Sequence, residues 1–279
     1  MRTIVHLSDP HFGRLENDTV QALISAVAAT KPSIVVVSGD LTQRARRSEF
    51  EEAREFLDAL PTPQIVVPGN HDMPLYNVYA RARQPFTKYR HYIGDDLEPF
   101  YCDEEIAVLG INTARSFTLK NGRINREQVT RSCARLKACG ENVTKVVVTH
   151  HPFDSPQKLG ATGLVGRARL AMAAFARSGV DLILSGHLHV SHTAASATRY
   201  KIQGHSALLI QAGTATSNRG RGELTSFNII QIEGPRISVR CMRWNREQGI
   251  FLAAATSEFQ QTPQGWSGVP AAKPAARVK

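Results

Sequence analysis

The stretch Ser33-Ile34-Val35-Val36-Val37-Ser38-Gly39-Asp40 decides how the rest of the chain is read. Residues 34–37 form a continuous, β-branched apolar run without polar alternation, the pattern of a strand covered on both faces. Gly39 permits a sharp turn, so such a strand would deliver Asp40 into a cleft. Taken alone the pattern is commonplace, and a turn aspartate that caps the next segment is its ordinary meaning. Chemistry depends on what lies beside it.

Four further apolar runs end in the same way. Residues 3–7 lead into Ser8-Asp9-Pro10-His11, where Pro10 is expected to hold Asp9 extended so that Asp9 and His11 point the same way. Residues 64–67 lead into Pro68-Gly69-Asn70-His71-Asp72, 144–148 into Thr149-His150-His151-Pro152, and 181–184 into Ser185-Gly186-His187-Leu188-His189. Apolar periodicity and cap residues place helices between them at about 19–30, 48–60, 125–139 and 166–177. Ser48 with Glu51 and Asn125 with Gln128 have capping-box spacing. Residues 73–92 read as helical or irregular, and 100–102 with 106–111 as two adjacent strands. After 190 the pattern becomes short antiparallel strands at 200–203, 208–211, 224–232 and 237–244. The fold class is α/β, with a single domain over 1–257 and a poorly ordered, proline-bearing tail over 258–279.

With 279 residues, 42% hydrophobic and 21% charged, the chain is long enough to bury one large core. Its start reaches polar residues too early for a signal peptide, and no run approaches the roughly 20 apolar residues that span a bilayer, so a cytoplasmic protein is expected. Cys102, Cys133, Cys139 and Cys241 form no Cys-x-x-Cys pair and read as free thiols in a reducing compartment. The net charge of +10 is scattered over several arginine-bearing segments rather than gathered in one, which is read as a solvated surface rather than a nucleic-acid groove.

Strand ends of an open α/β sheet converge on one crevice, which would gather Asp9, His11, Asp40, Asn70, His71, His150, His151, His187 and His189. His6 and His205 read as structural. Imidazoles and carboxylates crowded together without a cation would be costly, so the set points to metal. Seven candidate ligands exceed a closed zinc site and suit two ions sharing a carboxylate. Four histidines and two carboxylates among the seven favour Mn, Fe, Zn or Co over Mg or Ca.

The ordered blocks Asp9-x-His11, Gly39-Asp40, Gly69-Asn70-His71-Asp72, His150-x-Pro152 and Gly186-His187-x-His189 resemble the signature of the calcineurin-like metallophosphoesterases, over about residues 3–190. Ser8-Asp9-Pro10-His11 and Ser38-Gly39-Asp40-Leu41-Thr42 are most similar to the bacterial cyclic-AMP phosphodiesterase and glycerophosphodiesterase branch. The resemblance implies a four-layer αββα sandwich and two divalent or mixed-valence transition-metal ions. It implies that Asp9, His11 and His189 hold one ion, that Asn70, His150 and His187 hold the other, and that Asp40 bridges them. His151 would stand behind the ligands. His71 would face the phosphoryl group, with Asp72 orienting its ring. The implied reaction is hydrolysis of a phosphodiester, either a cyclic nucleotide or a small glycerophosphodiester, by in-line attack of metal-bound hydroxide. Phosphomonoester and nucleotide-lipid pyrophosphate hydrolysis are the alternatives, and a non-catalytic scaffold is disfavoured because all seven ligands are present. Arg44, Arg46, Arg219 and Arg221 are candidates for a second phosphate or ribose contact. The expected partner is a small anionic phosphate ester, with a homo-oligomer left open. Family members often carry a second proline where this chain has Phe153.

Overall fold

Alternation of side chains along buried strands sets the layering. In the computed structural model, which describes residues 1–15, 18–118, 120–160, 163–217 and 224–269, the strands are β1 (Arg2–Leu7), β2 (Ile34–Val37), β3 (Gln64–Val66), β4 (Phe100–Cys102), β5 (Ile106–Ile111), β6 (Thr144–Thr149), β7 (Val180–Ser185), β8 (His192–Ala195), β9 (Leu208–Gln211), β10 (Ser226–Glu233), β11 (Arg236–Asn245), β12 (Ile250–Thr262) and β13 (Gly265–Gly268). The helices are α1 (Thr19–Ala29), α2 (Arg47–Ala59), α3 (Val78–Arg83), α4 (Thr87–Tyr92), α5 (Arg126–Lys137) and α6 (Ala168–Arg177). The strands divide into a first sheet ordered β13-β12-β11-β10-β1-β2-β3 and a second ordered β4-β5-β6-β7-β9-β8.

Val5, Leu7, Val35 and Val37 point outward from the first sheet onto Leu23 and Val27 of α1 and Phe50, Phe56 and Leu57 of α2. Their neighbours Ile4, Ile34 and Val36 point the other way and meet Val146, Val148, Leu182 and Leu184 of the second sheet. The outer face of that sheet, Val147 and Ile183 among others, packs on Val129 and Leu136 of α5 and Met172 and Phe175 of α6. The result is the αββα sandwich. The unbroken run of residues 34–37 is explained by it: a strand between two apolar layers needs an apolar side chain at every position, each contributing about 1.5–3 kcal/mol on full burial.

Several local expectations are corrected. The strand placed at 200–203 is absent, and 192–195 forms β8 instead. β9 pairs parallel with β7, so it extends the parallel part of the second sheet before β8 closes the edge antiparallel. Residue 258 lies inside β12, and ordered strand structure continues through β13. Nine of the thirteen residues of β12 are exposed, which hid it from a search for apolar strands. Residues 270–279 of the expected tail lie outside the described residues. Among the described residues no helix is long and apolar enough to cross a membrane.

The start of α2 is tied by Glu49 rather than Glu51: Glu49 Oε2 accepts the backbone N–H of Arg46 at 3.2 Å and of Arg44 at 2.7 Å, while Glu51 pairs with Arg47 along the exposed face. At α5 the expected reciprocal cap is present. Gln128 N–H donates to Asn125 Oδ1 at 2.8 Å, and Asn125 N–H donates to Gln128 Oε1 at 3.1 Å. Asn125→Ala should lower unfolding free energy by about 1 kcal/mol, read as a shifted urea midpoint with unchanged slope.

Candidate metal centre

β1, β2 and β3 run parallel in one sheet and β6 and β7 in the other, and all five release their chains at the same end of the sandwich. The ladder between the first two strands continues into their loops. Asp9 N–H donates to Gly39 O at 3.0 Å, and His11 N–H to Asp40 O at 3.1 Å. Gly186 N–H donates to His150 O at 3.0 Å, tying the other pair of loops.

Asp9, His11, Asp40, His187 and His189 all have left-handed φ, between 50° and 72°. Asp9 is therefore not extended as Pro10 led one to expect. The main chain turns at the ligand itself, at a cost of order 1–3 kcal/mol for each such residue. Gly39, at φ +91°, supplies the turn foreseen for it.

The donor atoms fall into two groups with one shared member. Asp9 Oδ1 lies 3.2 Å from His189 Nε2 and 3.6 Å from His11 Nε2, and the two imidazole nitrogens are 3.2 Å apart. In the second group, His150 Nε2 lies 3.2 Å from both Asn70 Oδ1 and His187 Nδ1. Asp40 Oδ2 stands between the groups, 3.9 Å from His11 Nε2 and 3.4 Å from His150 Nε2.

Each carboxylate is half used by the protein. Asp9 Oδ2 accepts from Ser8 Oγ at 2.5 Å and His187 N–H at 2.9 Å, whereas its buried Oδ1 has no hydrogen-bond partner. Asp40 Oδ1 accepts His71 N–H at 2.8 Å, leaving Oδ2 for the cluster. The far nitrogens of two rings are fixed on carbonyls, His150 Nδ1 on Ser38 O at 2.8 Å and His11 Nδ1 on Thr42 O at 3.4 Å, so each Nε2 is directed into the cluster, where a cation would use its lone pair. Ligands about 2.0–2.2 Å from a cation sit roughly 3–3.6 Å from one another, which is the spacing within both groups. The orphaned Asp9 Oδ1 and these aligned lone pairs fit divalent cations.

Protonation agrees. Burial drives His11 to about 3 and His187 to about 4, against the pull of Asp40 and Asp9, so both rings are neutral at pH 7. Burial opposes ionisation of Asp9 and Asp40, but the imidazoles beside them, His189 for Asp9 and His150 for Asp40, hold both below the usual carboxylate range. At His150 burial is likewise outweighed, and Asp40 raises the ring to about 9. A cation held by these residues would take over the role of that proton.

His151 stands close to His150 and His187, yet both of its nitrogens are engaged, Nδ1 by Thr113 Oγ1 at 2.9 Å and Nε2 by Lys120 O at 3.1 Å. It forms wall. The ring of His71 has its Nδ1 2.8 Å from Gln43 O, and Asp72 is committed elsewhere. The Asp72 carboxylate accepts the backbone N–H groups of Leu41, Thr42 and Gly69 at 2.8–3.2 Å, clasping the two loops that carry Asp40 and Asn70. Burial, then the charge of Asp40, raises Asp72 to about 6 against those three donors. Arg44 and Arg46 are exposed, the former over the ring of Tyr76 at 5.9 Å and the latter 3.9 Å from Glu49. Arg219 and Arg221 lie outside the described residues. His6 and His205 stay out of the cluster, and His6 Nε2 is 2.9 Å from Ser38 Oγ. The carbonyls of Ser38, Thr42, Gln43 and Lys120 escaped the sequence because any residue type supplies one.

Comparison with known proteins agrees with this geometry. The model of the family described as calcineurin-like phosphoesterase matches residues 2–191. A probable cyclic nucleotide phosphodiesterase of Synechococcus sp. is 25% identical over 171 residues, 60% of this chain and 62% of that protein. The glycerophosphodiester phosphodiesterase GpdQ of Enterobacter lignolyticus is 36% identical over 166 residues, 54% of this chain and 57% of that protein. The chain thus spans about three-fifths of the length of these two curated relatives. In fold it is similar to the purple acid phosphatase PPD1 of yellow lupin seeds, with TM-score 0.67 and 10% identity over 91% of this chain and 53% of that one. It is also similar to a dimetal phosphatase of Danio rerio, with TM-score 0.63 and 14% identity over 90% of this chain and 98% of that one. With five strand ends delivering the family's blocks to one cluster, and the family match running through all of them, the chain belongs to the calcineurin-like phosphoesterase family.

Proposed function

We propose that the chain hydrolyses a phosphodiester at two transition-metal ions, one held by Asp9, His11 and His189, the other by Asn70, His150 and His187, with Asp40 shared. The observation that carries this is the position of Asp40 Oδ2 between His11 Nε2 and His150 Nε2, one atom within reach of both groups. The nitrogen-rich donor set suits Mn, Fe, Zn or Co. The chemistry supplied by bound ions is acidification of a water molecule and neutralisation of phosphoryl charge.

The remaining work falls to the chain. His71 sets its Nδ1 on Gln43 O and its backbone N–H on Asp40 Oδ1, which leaves Nε2 to face the leaving oxygen; a ring carrying a proton on both nitrogens would give the Nε2 proton to that oxygen and return to neutral imidazole. Asp72 acts through the loops it clasps, keeping Asp40 and Asn70 at fixed separation. The preference for a diester rests on the two curated relatives, both of which are named as diesterases. With Mn-loaded protein, an aryl phosphodiester should turn over faster than its monoester, and metal analysis should return two ions per chain. A strong monoester preference would replace the diesterase reading with a phosphomonoesterase.

A further inference from the structure

Resting on that reading, we propose that Tyr76, Tyr79 and Phe117, edged by Arg44, form a stacking platform at the mouth of the metal centre that captures a nucleobase, so that the preferred diester carries a nucleoside. Tyr76 and Tyr79 are each 73% exposed and Phe117 is 90% exposed, with Val78 at 74% beside them. Large apolar side chains exposed on adjoining loops are what an interaction site presents.

Their placement ties them to the reacting group. Tyr76 follows Asp72 by four residues in the loop that leaves the centre. Arg44 follows Gln43, whose carbonyl holds His71, and lays its guanidinium 5.9 Å from the Tyr76 ring centroid. Phe117 lies in the loop whose Thr113 and Lys120 fix His151. Both loops therefore grow from the walls of the site.

Arg81 draws them together. Its buried guanidinium donates to Ser116 O and Thr118 O, each at 2.8 Å, and to Pro74 O at 3.2 Å, which sets Phe117 alongside residues 74–79. These ties hold the backbones of both loops in place before any ligand arrives, so less ordering entropy opposes stacking.

Charge selects the occupant. A quaternary ammonium headgroup also favours aromatic faces, but Arg44 and Arg83 already place cations over Tyr76 and Tyr79, at 5.9 and 5.8 Å. A glycerol headgroup gains little from rings. A nucleobase attached to the phosphate suits both the aromatic faces and the cationic edge. Tyr76, Tyr79, Arg81 and Arg83 already interleave along the chain, and the fold adds Arg44 and the loop of Phe117 to them.

The test compares 3′,5′-cyclic AMP with glycerophosphoethanolamine on the metal-loaded full chain, in wild type and in Tyr76→Ala with Phe117→Ala. The expected result is a fall of about 10- to 100-fold in the ratio of kcat/KM between the two substrates, carried by KM, with Tyr76→Phe retaining the ratio. An unchanged ratio overturns the platform. So does a change of sedimentation coefficient on substitution, which would make the rim a subunit contact. If wild type hydrolyses neither diester, the diesterase reading fails by itself, and calorimetric binding of 5′-AMP decides the platform: weakening of about 10-fold or more in the double variant supports it and equal affinity overturns it.

Discussion

Asp40→Asn is expected to lower hydrolysis at least about a thousandfold, equivalent to ~4 kcal/mol of barrier, while unfolding stays cooperative. Among the described residues Asp40 is the one carboxylate within 4 Å of ring nitrogens from both groups, His11 Nε2 at 3.9 Å and His150 Nε2 at 3.4 Å. The amide can still accept His71 N–H through its oxygen, so the loop keeps its anchor. What it loses is the negative charge that the proposed pair of cations would share. Metal content measured by plasma mass spectrometry should fall below two ions per chain together with the rate. Full activity with two bound ions would mean that the shared ligand has been misassigned.

Gly39→Ala should be nearly as damaging, by a different route. At φ +91° a Cβ is strained whatever surrounds it, and here it would also lie 2.7 Å from His150 Nδ1 and 2.9 Å from Gly69 N. His150 must then leave Ser38 O, which turns its Nε2 away from Asp40. We expect metal-free protein to lose about 2–6 kcal/mol, the sum of backbone strain and overpacking, and to bind metal weakly. Gly94→Ala is the control, since its Cβ would meet nothing within 4 Å and its φ is ordinary. Equal denaturation midpoints for the two variants would remove the steric argument.

The residues that were legible in the sequence are those whose local pattern has a single physical meaning. Residues 34–37 could only be buried on both faces, and the donors at the ends of five such runs had to meet. The split into two sheets was not legible, because β2 and β6 have the same local pattern and lie in different sheets. The backbone at Asp9 was misjudged because Pro10 gives only a local bias, and ladder bonds to the neighbouring strand's loop overrode it. The contact of His71 Nδ1 with Gln43 O was not legible, because every residue carries a carbonyl and the sequence marks none of them. The aromatic rim was invisible for a related reason: Arg44 and Tyr76 are far apart along the chain and meet only after β2 and β3 have paired.

The order of strands also governs when the centre can be built. β1 lies between β2 and β10, with Val5 opposite Ile229, and β7 likewise waits for β9. At about 5–20 residues per second the ribosome takes roughly ten to forty seconds to reach β10 after making β1. Through that interval the strand carrying Asp9 has one bare edge, open to chaperones or to other nascent chains. The donor set is complete only once residues through His189 have been made, and the strand leading to Asp9 is paired on both sides only once β10 follows.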